Sequence, residues 1–255
     1  MKKSVNLIYF RDATSTNGNF GDELSKFITS NLINNEKYEL FFRKRGKNYN
    51  LVCIGSYIHE ASNNAYIFGS GIRTNPPIEN GHYYQNLNVS AIRGPLSREF
   101  LMSKNINVPE IYGDPGLLLS KFYQPKINES LKDKIGIVPH KSNYAKYVNK
   151  IDKKKYHLIN PTDKWETVIN ELCSCKSIIS SSLHGLVCAD AYNIPNLWLD
   201  EYKLSEGDFK FKDYFASQGR EYVKIRSIND YKELLLYTEG NKVNLDKLVS
   251  AFPFK

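Results

Sequence analysis

Ser180-Ser181-Ser182-Leu183-His184-Gly185 concentrates the chemistry of this chain. The apolar run Ser177-Ile178-Ile179 precedes it and Val187-Cys188-Ala189-Asp190-Ala191-Tyr192 follows. A β-branched run, small hydroxyl residues and then a helical segment describe a strand-to-helix turn, where an open α/β sheet presents ligands. Backbone N–H groups at a helix start attract anions, and the hydroxyls of Ser180, Ser181 and Ser182 add donors beside Gly185. A histidine at such a turn can exchange a proton near neutral pH. The stretch therefore suits an anionic group held beside a proton donor.

Further turns carry chemistry-bearing residues. Asn17 lies four residues before Gly21-Asp22, where Gly21 permits a tight turn and Asp22 either caps the following helix or faces a cleft as a carboxylate base. In Gly69-Ser70-Gly71-Ile72-Arg73, two glycines flank Ser70 and allow close approach of backbone to ligand, with Arg73 available for its charge. Arg93 ends an apolar run and Arg98 follows Gly94-Pro95 in the first helical turn. An arginine there opposes the helix dipole, which a bound carboxylate or phosphate would explain; plain surface placement is an equal reading for Arg98 and a lesser one for Arg93. Asp114, in Tyr112-Gly113-Asp114-Pro115-Gly116, reads at least as strongly as a turn former as a catalytic group. His140, in Val138-Pro139-His140-Lys141, stands at the end of another strand, whereas His59, His82 and His157 read as structural.

The elements that must position these residues alternate. Val5–Phe10, Asn50–Ile54, Ala65–Phe68, Leu87–Ile92 and Glu110–Tyr112 read as strands, with helices opening at Glu23 and after Gly94. Tyr123–Asn128 reads as a linker, after which the alternation restarts. Lys134–Val138, Tyr156–Ile159, Ser177–Ser180 and Asn196–Leu199 are expected strands. Asn143–Asn149, Pro161–Cys173 (with Thr162 as N-cap), Leu186–Tyr192, Ile228–Tyr237 and Leu245–Phe252 are expected helices. Two βα series imply an α/β protein of two Rossmann-like lobes, 1–124 and 125–255, facing a cleft.

Composition fits a soluble globular protein: 41% apolar and 24% charged residues suffice for a core. The apolar start ends at Arg11-Asp12, too short for a signal segment, and no later stretch is long enough to span a membrane. Cys53, Cys173, Cys175 and Cys188 lack zinc or redox spacing and read as free thiols in a reducing cytoplasm. The net charge of +8 includes the runs Arg43–Lys47 and Lys153–Lys155. These read as solvated surface first and as contacts for an anionic membrane face second. No nucleic-acid motif accompanies them, and neither a GxGxxG fingerprint nor a P-loop is present.

Taken in order, these motifs resemble the polysaccharide pyruvyl transferase family. Asn17 with Gly21-Asp22, Gly69-Ser70-Gly71, Arg93-Gly94-Pro95-Leu96-Ser97-Arg98, Gly113-Asp114-Pro115, Val138-Pro139-His140 and the serine-histidine turn carry the resemblance. It continues through Ala189–Tyr192, Ile194-Pro195, Phe209–Tyr214 and Gly219-Arg220. The resemblance implies a GT-B-like pair of lobes. It also implies transfer of pyruvate from phosphoenolpyruvate to a sugar of a surface polysaccharide or its lipid-linked precursor, as a ketal, with no metal or other cofactor. For that chemistry the expected catalytic residues are His184, to supply the proton or hold the leaving phosphate, Asp22, as base for the sugar hydroxyl, and Arg93, to clamp carboxylate or phosphate. Asn17, Gly21, Ser70, Gly71, Arg73, Arg98, His140, Ser180, Ser181, Ser182 and Gly185 are the expected substrate contacts. Some relatives carry Arg where this chain has Ser182, so the donor's countercharge is expected from Arg73, Arg93 or Arg98. Two other readings stay open. One is a GT-B glycosyltransferase using a nucleotide sugar, with Asp200 or Glu201 on the ribose. The other is a non-catalytic carbohydrate- or anion-binding protein.

Overall fold

The computed structural model describes residues 2–10, 17–42, 49–73, 86–202 and 207–255. The basic run at 43–47 and His82 lie outside the described residues. The first lobe runs β1 (Lys3–Ile8), α1 (Phe20–Leu32), β2 (Tyr38–Phe42), β3 (Tyr49–Val52), β4 (Tyr66–Phe68), β5 (Asn88–Ala91), α2 (Pro95–Met102) and the single turn α3 (Leu119–Phe122). The second runs β6 (Ile135–Val138), β7 (Tyr156–Leu158), α4 (Trp165–Ser174), β8 (Ser177–Ser180), α5 (Leu183–Ala191), β9 (Asn196–Leu199), α6 (Phe209–Ser217), β10 (Lys224–Ile225) and α7 (Leu245–Ser250).

Each lobe holds a five-stranded sheet, β2-β1-β3-β4-β5 and β10-β9-β8-β6-β7, and the ladders between these strands are parallel. Read from its other edge, the second sheet repeats the order of the first. In such an order the connections leave in opposite directions from the first and third strands, which opens a crevice at their carboxyl ends. The crevices therefore lie between β1 and β3 and between β6 and β8. The central strands β6 and β8 are buried along their whole length, as parallel strands with both faces covered must be.

One apolar cluster spans both lobes. Val5, Leu24 and Phe68 belong to the same cluster as Val138, Ile178 and Cys188. Phe27 on α1 meets Trp165 on α4 with ring centroids 4.6 Å apart, and Tyr123 closes the group. After α7 the chain, within the 125–255 span, packs back on the first lobe. Phe252 packs on Phe68, Phe254 sits among Tyr38, Tyr49 and Tyr66, and its carbonyl accepts the Asn34 N–H.

Several elements differ from expectation. Tyr38–Phe42 is a strand at the sheet edge, and Phe209–Ser217 is a helix. Ile228–Tyr237 forms two short 3-10 turns, Ile228–Asp230 and Glu233–Leu235; Ser227 and Asp230 cap the start of the first, and extended backbone at Tyr231 ends it. Lys141–Lys146 is likewise 3-10 rather than a helix from Asn143. Asn160 takes both the N–H and the hydroxyl of Thr162, so the next helix starts at Trp165 with Lys164 at its N-cap. Glu110–Tyr112 contributes only an isolated bridge, Tyr112 to Ile92. The four cysteines are free thiols. Burial pushes Cys173 and Cys175 up to about 12, which keeps them protonated and unreactive.

Candidate active site

The turn after β8 is built largely by its own serines. The Ser180 hydroxyl contacts the carbonyls of Val138 and Ser182 at 2.8 and 2.7 Å and accepts the Ser182 N–H at 3.0 Å. The Ser181 hydroxyl accepts the His140 N–H at 2.9 Å, tying the loop after β6 to the loop after β8. The N–H groups of Ser181 and Ser182 point to the Val138 carbonyl. Two of the three serines thus shape the turn, and Ser182, the N-cap of α5, is the one that lines the pocket. The opening amides of a helix have no acceptor within it, and Leu183 and His184, the first two residues of α5, both line the pocket. Gly185 packs directly against the Ser180 hydroxyl instead.

His184 lies across the lobe boundary, against the first turn of α1. A Cβ on Gly21 would fall 2.1 Å from its Nδ1, so only glycine admits the ring there. Asp22, one residue on, lines the pocket, and its carboxylate accepts from the Asn19 amide at 2.7 Å. On the other side, Nε2 of His184 stands 3.8 Å from Oδ2 of Asp114. Burial, then the charges of Lys210 and Arg93, hold the His184 imidazole down to about 3, so it is neutral at pH 7. Burial pushes the Asp114 carboxyl up to about 6.

These groups surround a pocket of about 140 Å³ at the facing crevices of the two sheets. Phe10, Asn19 and Asp22 follow β1, and Gly55, Ser56 and Tyr57 follow β3. His140 and Lys141 follow β6, and Ser182, Leu183 and His184 follow β8. Arg73 and Lys210 complete the lining, so three permanent cations face one small space: Arg73, Lys141 and Lys210. The volume is below the roughly 300–1,000 Å³ of sites that enclose drug-sized ligands.

Of the expected site residues, Asp22, Arg73, His140, Ser182 and His184 meet at this pocket, with Gly21 beneath the imidazole. Arg93, expected as the donor clamp, is fully buried. Its Nε bonds Asp213 Oδ2 at 3.0 Å, and it reaches the pocket lining only through the Ser56 hydroxyl at 2.8 Å. Asp213 also accepts from the N–H and hydroxyl of Ser97, so the pair ties α2 and the turn before it to α6. Arg98 bonds the Val108 carbonyl and Glu110, away from the pocket lining. The Ser70 hydroxyl is buried on the Gly55 carbonyl, and Gly71 packs against the Arg93 guanidinium. Asn17 is exposed, and Asn19 stands in the pocket wall instead. Asp200 pairs with Lys224 and Arg226, while Glu201 pairs with Tyr147 and Lys150; neither lines the pocket.

Sequence reasoning passed over Asn19, Ser56, Tyr57 and Lys210 as pocket residues. Lys210 stands one residue into α6, in a Phe-Lys-Phe-Lys stretch whose alternation conceals a helix. Lys141 was adjacent to a residue already singled out, and this was the only signal it carried.

Two α/β lobes of identical strand order thus meet at a cationic pocket that holds a histidine. The family model of polysaccharide pyruvyl transferase matches residues 5–201. The chain belongs to that family. It is 27% identical over 210 residues to an uncharacterised protein of Acanthamoeba polyphaga mimivirus, covering 80% of this chain and 72% of that one. An uncharacterised protein of Klebsiella pneumoniae has a similar solved structure, with a TM-score of 0.56 and 14% identity over 89% of this chain and 93% of that one. That likeness concerns the fold. Among the described residues, no helix is long and apolar enough to cross a membrane.

Proposed function

We propose that the chain transfers the pyruvate unit of phosphoenolpyruvate to two hydroxyls of one sugar, forming a ketal and releasing phosphate. The observation that carries this is the pocket itself: three cations and a buried histidine around a space sized for a three-carbon dianion or trianion. Phosphoenolpyruvate presents carboxylate and phosphate on such a frame, whereas a nucleotide sugar is far larger. No carboxylate suited to a ribose reaches the pocket from Asp200 or Glu201.

The chemistry balances with the groups present. A proton added to C3 turns the methylene into a methyl and leaves C2 electrophilic. The first hydroxyl oxygen bonds C2 and gives its proton to Asp22, the general base. The C2–O bond to phosphate then breaks, the electron pair leaving with phosphate. The second hydroxyl closes the ring, and its proton departs with the phosphate. His184 is the acid toward C3. It is neutral before the donor arrives, and the donor's negative charge offsets Lys210 and raises the imidazole's affinity for a proton. The opening amides of α5 and the side chains of Arg73, Lys141 and Lys210 hold the oxyanions.

The acceptor is a sugar of a surface polysaccharide or of its lipid-linked precursor, and the reaction takes place on the cytoplasmic side. The exposed run Lys153–Lys155 supports a peripheral contact with an anionic inner membrane face. The test is incubation with phosphoenolpyruvate and a panel of lipid-linked and synthetic glycosides, with phosphate release and product mass measured. The expected product gains one pyruvate less one water, and His184→Ala and His184→Gln abolish it. Near-wild-type turnover in both variants overturns the role of His184. A thermal shift with UDP- or GDP-sugars but none with phosphoenolpyruvate overturns the donor.

A further inference from the structure

We propose that Asp114 is a positioning residue for His184, fixing which ring nitrogen carries the proton. The inference rests on the reading of His184 as the acid of the proposed transfer. Asp114 comes from the first lobe, at the N-cap of the short 3-10 turn Pro115–Leu118. Its Oδ1 accepts the Gly116 N–H at 2.9 Å, which locks the carboxyl orientation. Its Oδ2 is buried and has no hydrogen-bond partner among the described residues, and the same holds for Nε2 of His184. These two atoms face each other across the lobe boundary at 3.8 Å.

Two buried orphans of complementary type, aimed at one another, are not a packing accident that a fold leaves unanswered. The separation exceeds a hydrogen bond by less than 1 Å, and catalytic hydrogen bonds in ligand-free enzymes commonly tighten when substrate binds. A carboxylate facing Nε2 favours the tautomer with hydrogen on Nε2. That leaves the Nδ1 lone pair on the α1 side, where Asn19 and Asp22 line the pocket. Once Nδ1 is protonated, the Asp114 charge compensates the imidazolium.

Other groups around the pair set its electrostatics. The charges of Lys210 and then Arg93 oppose protonation of His184, while Asp22 and His140 share its pocket. Arg93 favours the Asp114 carboxylate and Asp213 disfavours it. The thiols of Cys53 and Cys188 and the Tyr214 hydroxyl, also close to Asp114, are buried and remain protonated.

Nitrogen-15 NMR of the imidazole in the full chain reads the tautomer directly and needs no turnover. The expected result is the Nε2–H form in the wild type and a mixed or Nδ1–H form in Asp114→Asn and Asp114→Ala. A wild-type ring in the Nδ1–H form, or one unaffected by either variant that retains a native melt, overturns the inference. With phosphoenolpyruvate turnover as readout, Asp114→Asn lowers kcat at least about tenfold, within the roughly 10²–10⁴ that acid–base catalysis contributes. KM for the donor stays within about twofold, and the acid limb of the pH profile moves. If the wild type transfers no pyruvate, the proposed function fails while the NMR result still decides the pairing.

Discussion

Gly21 and His184 are in mutual contact across the lobe boundary: the backbone of one is the floor on which the ring of the other lies. A side chain at 21 would come within 2.1 Å of Nδ1 and 2.4 Å of Cγ. Gly21→Ala must therefore move the imidazole or the helix. Overpacking of this kind costs about 1–3 kcal/mol, and a displacement near 1 Å at a reacting group costs about 10²-fold in rate. The expected variant is folded by circular dichroism and releases phosphate about 10²-fold more slowly. Unchanged turnover would show that the ring position is not critical.

Acid stability reports on the same ring. The imidazole of His184 is held down to about 3 from an ordinary 6.5. As pH falls below 6.5 the unfolded chain takes up a proton that the fold refuses. Stability present at neutral pH is then lost toward pH 3, at no more than about 1.4 kcal/mol per pH unit. Asp114, raised from 3.8 to about 6, acts in the opposite sense: its contribution is complete below 3.8 and lost as pH rises through 6. Melting temperatures at pH 7 and 5 should therefore fall more with acid in the wild type than in His184→Gln. Equal slopes would assign the acid sensitivity to other groups.

Arg93 separates a structural from a binding role. Removing it leaves Asp213 buried without its cation, at a cost of about 3–5 kcal/mol. Arg93→Ala is expected to lower the melting temperature sharply, and Arg93→Met with Asp213→Leu to recover much of it. A large rise in KM for the donor with an unchanged melt would return Arg93 to the donor site.

Lys210 is the opposite case. It stands at the start of α6 in the pocket wall, and its charge bears on His184. Lys210→Met removes a charge-assisted contact, and the expected loss is about 10- to 100-fold in affinity for phosphoenolpyruvate, most evident at low salt. Arg98→Ala, in contrast, leaves KM within about twofold. Equal effects in both variants would mean that long-range charge, not contact, holds the donor.

How much of the site was legible follows from where each residue's partner lies. His184 and His140 each follow an apolar run, and a strand end beside a helix start is a local signal; Asp22 is marked instead by the turn Asn17–Gly21 before it. Arg93 was singled out for its type and position, yet its partner Asp213 comes from a distant part of the chain. No local pattern announces a buried pair of that kind. Asp114 is similar: Asp before Pro reads as a turn former, which its Oδ1 is, while its Oδ2 serves a residue in the other lobe. The helix α6 was hidden because Phe-Lys-Phe-Lys alternates like a strand. Phe211, Tyr214 and Phe215 fall on one helical face, and Phe211 stacks on Trp198 with ring centroids 4.5 Å apart. The edge strand β2 is largely half-exposed, and its apolar run, Leu40-Phe41-Phe42, is only three residues long.

The return of the chain to the first lobe through Phe252 and Phe254 bears on how the molecule is assembled and how it moves. The aromatic wall of Tyr38, Tyr49 and Tyr66 stays open until residues 252–254 have been synthesised, so the first lobe cannot finish folding before the second has been made. Once closed, the lobes are joined by two crossings of the backbone instead of one. Two tethers, with the apolar cluster that spans both lobes, limit how far the facing walls of the pocket can separate more than one tether would.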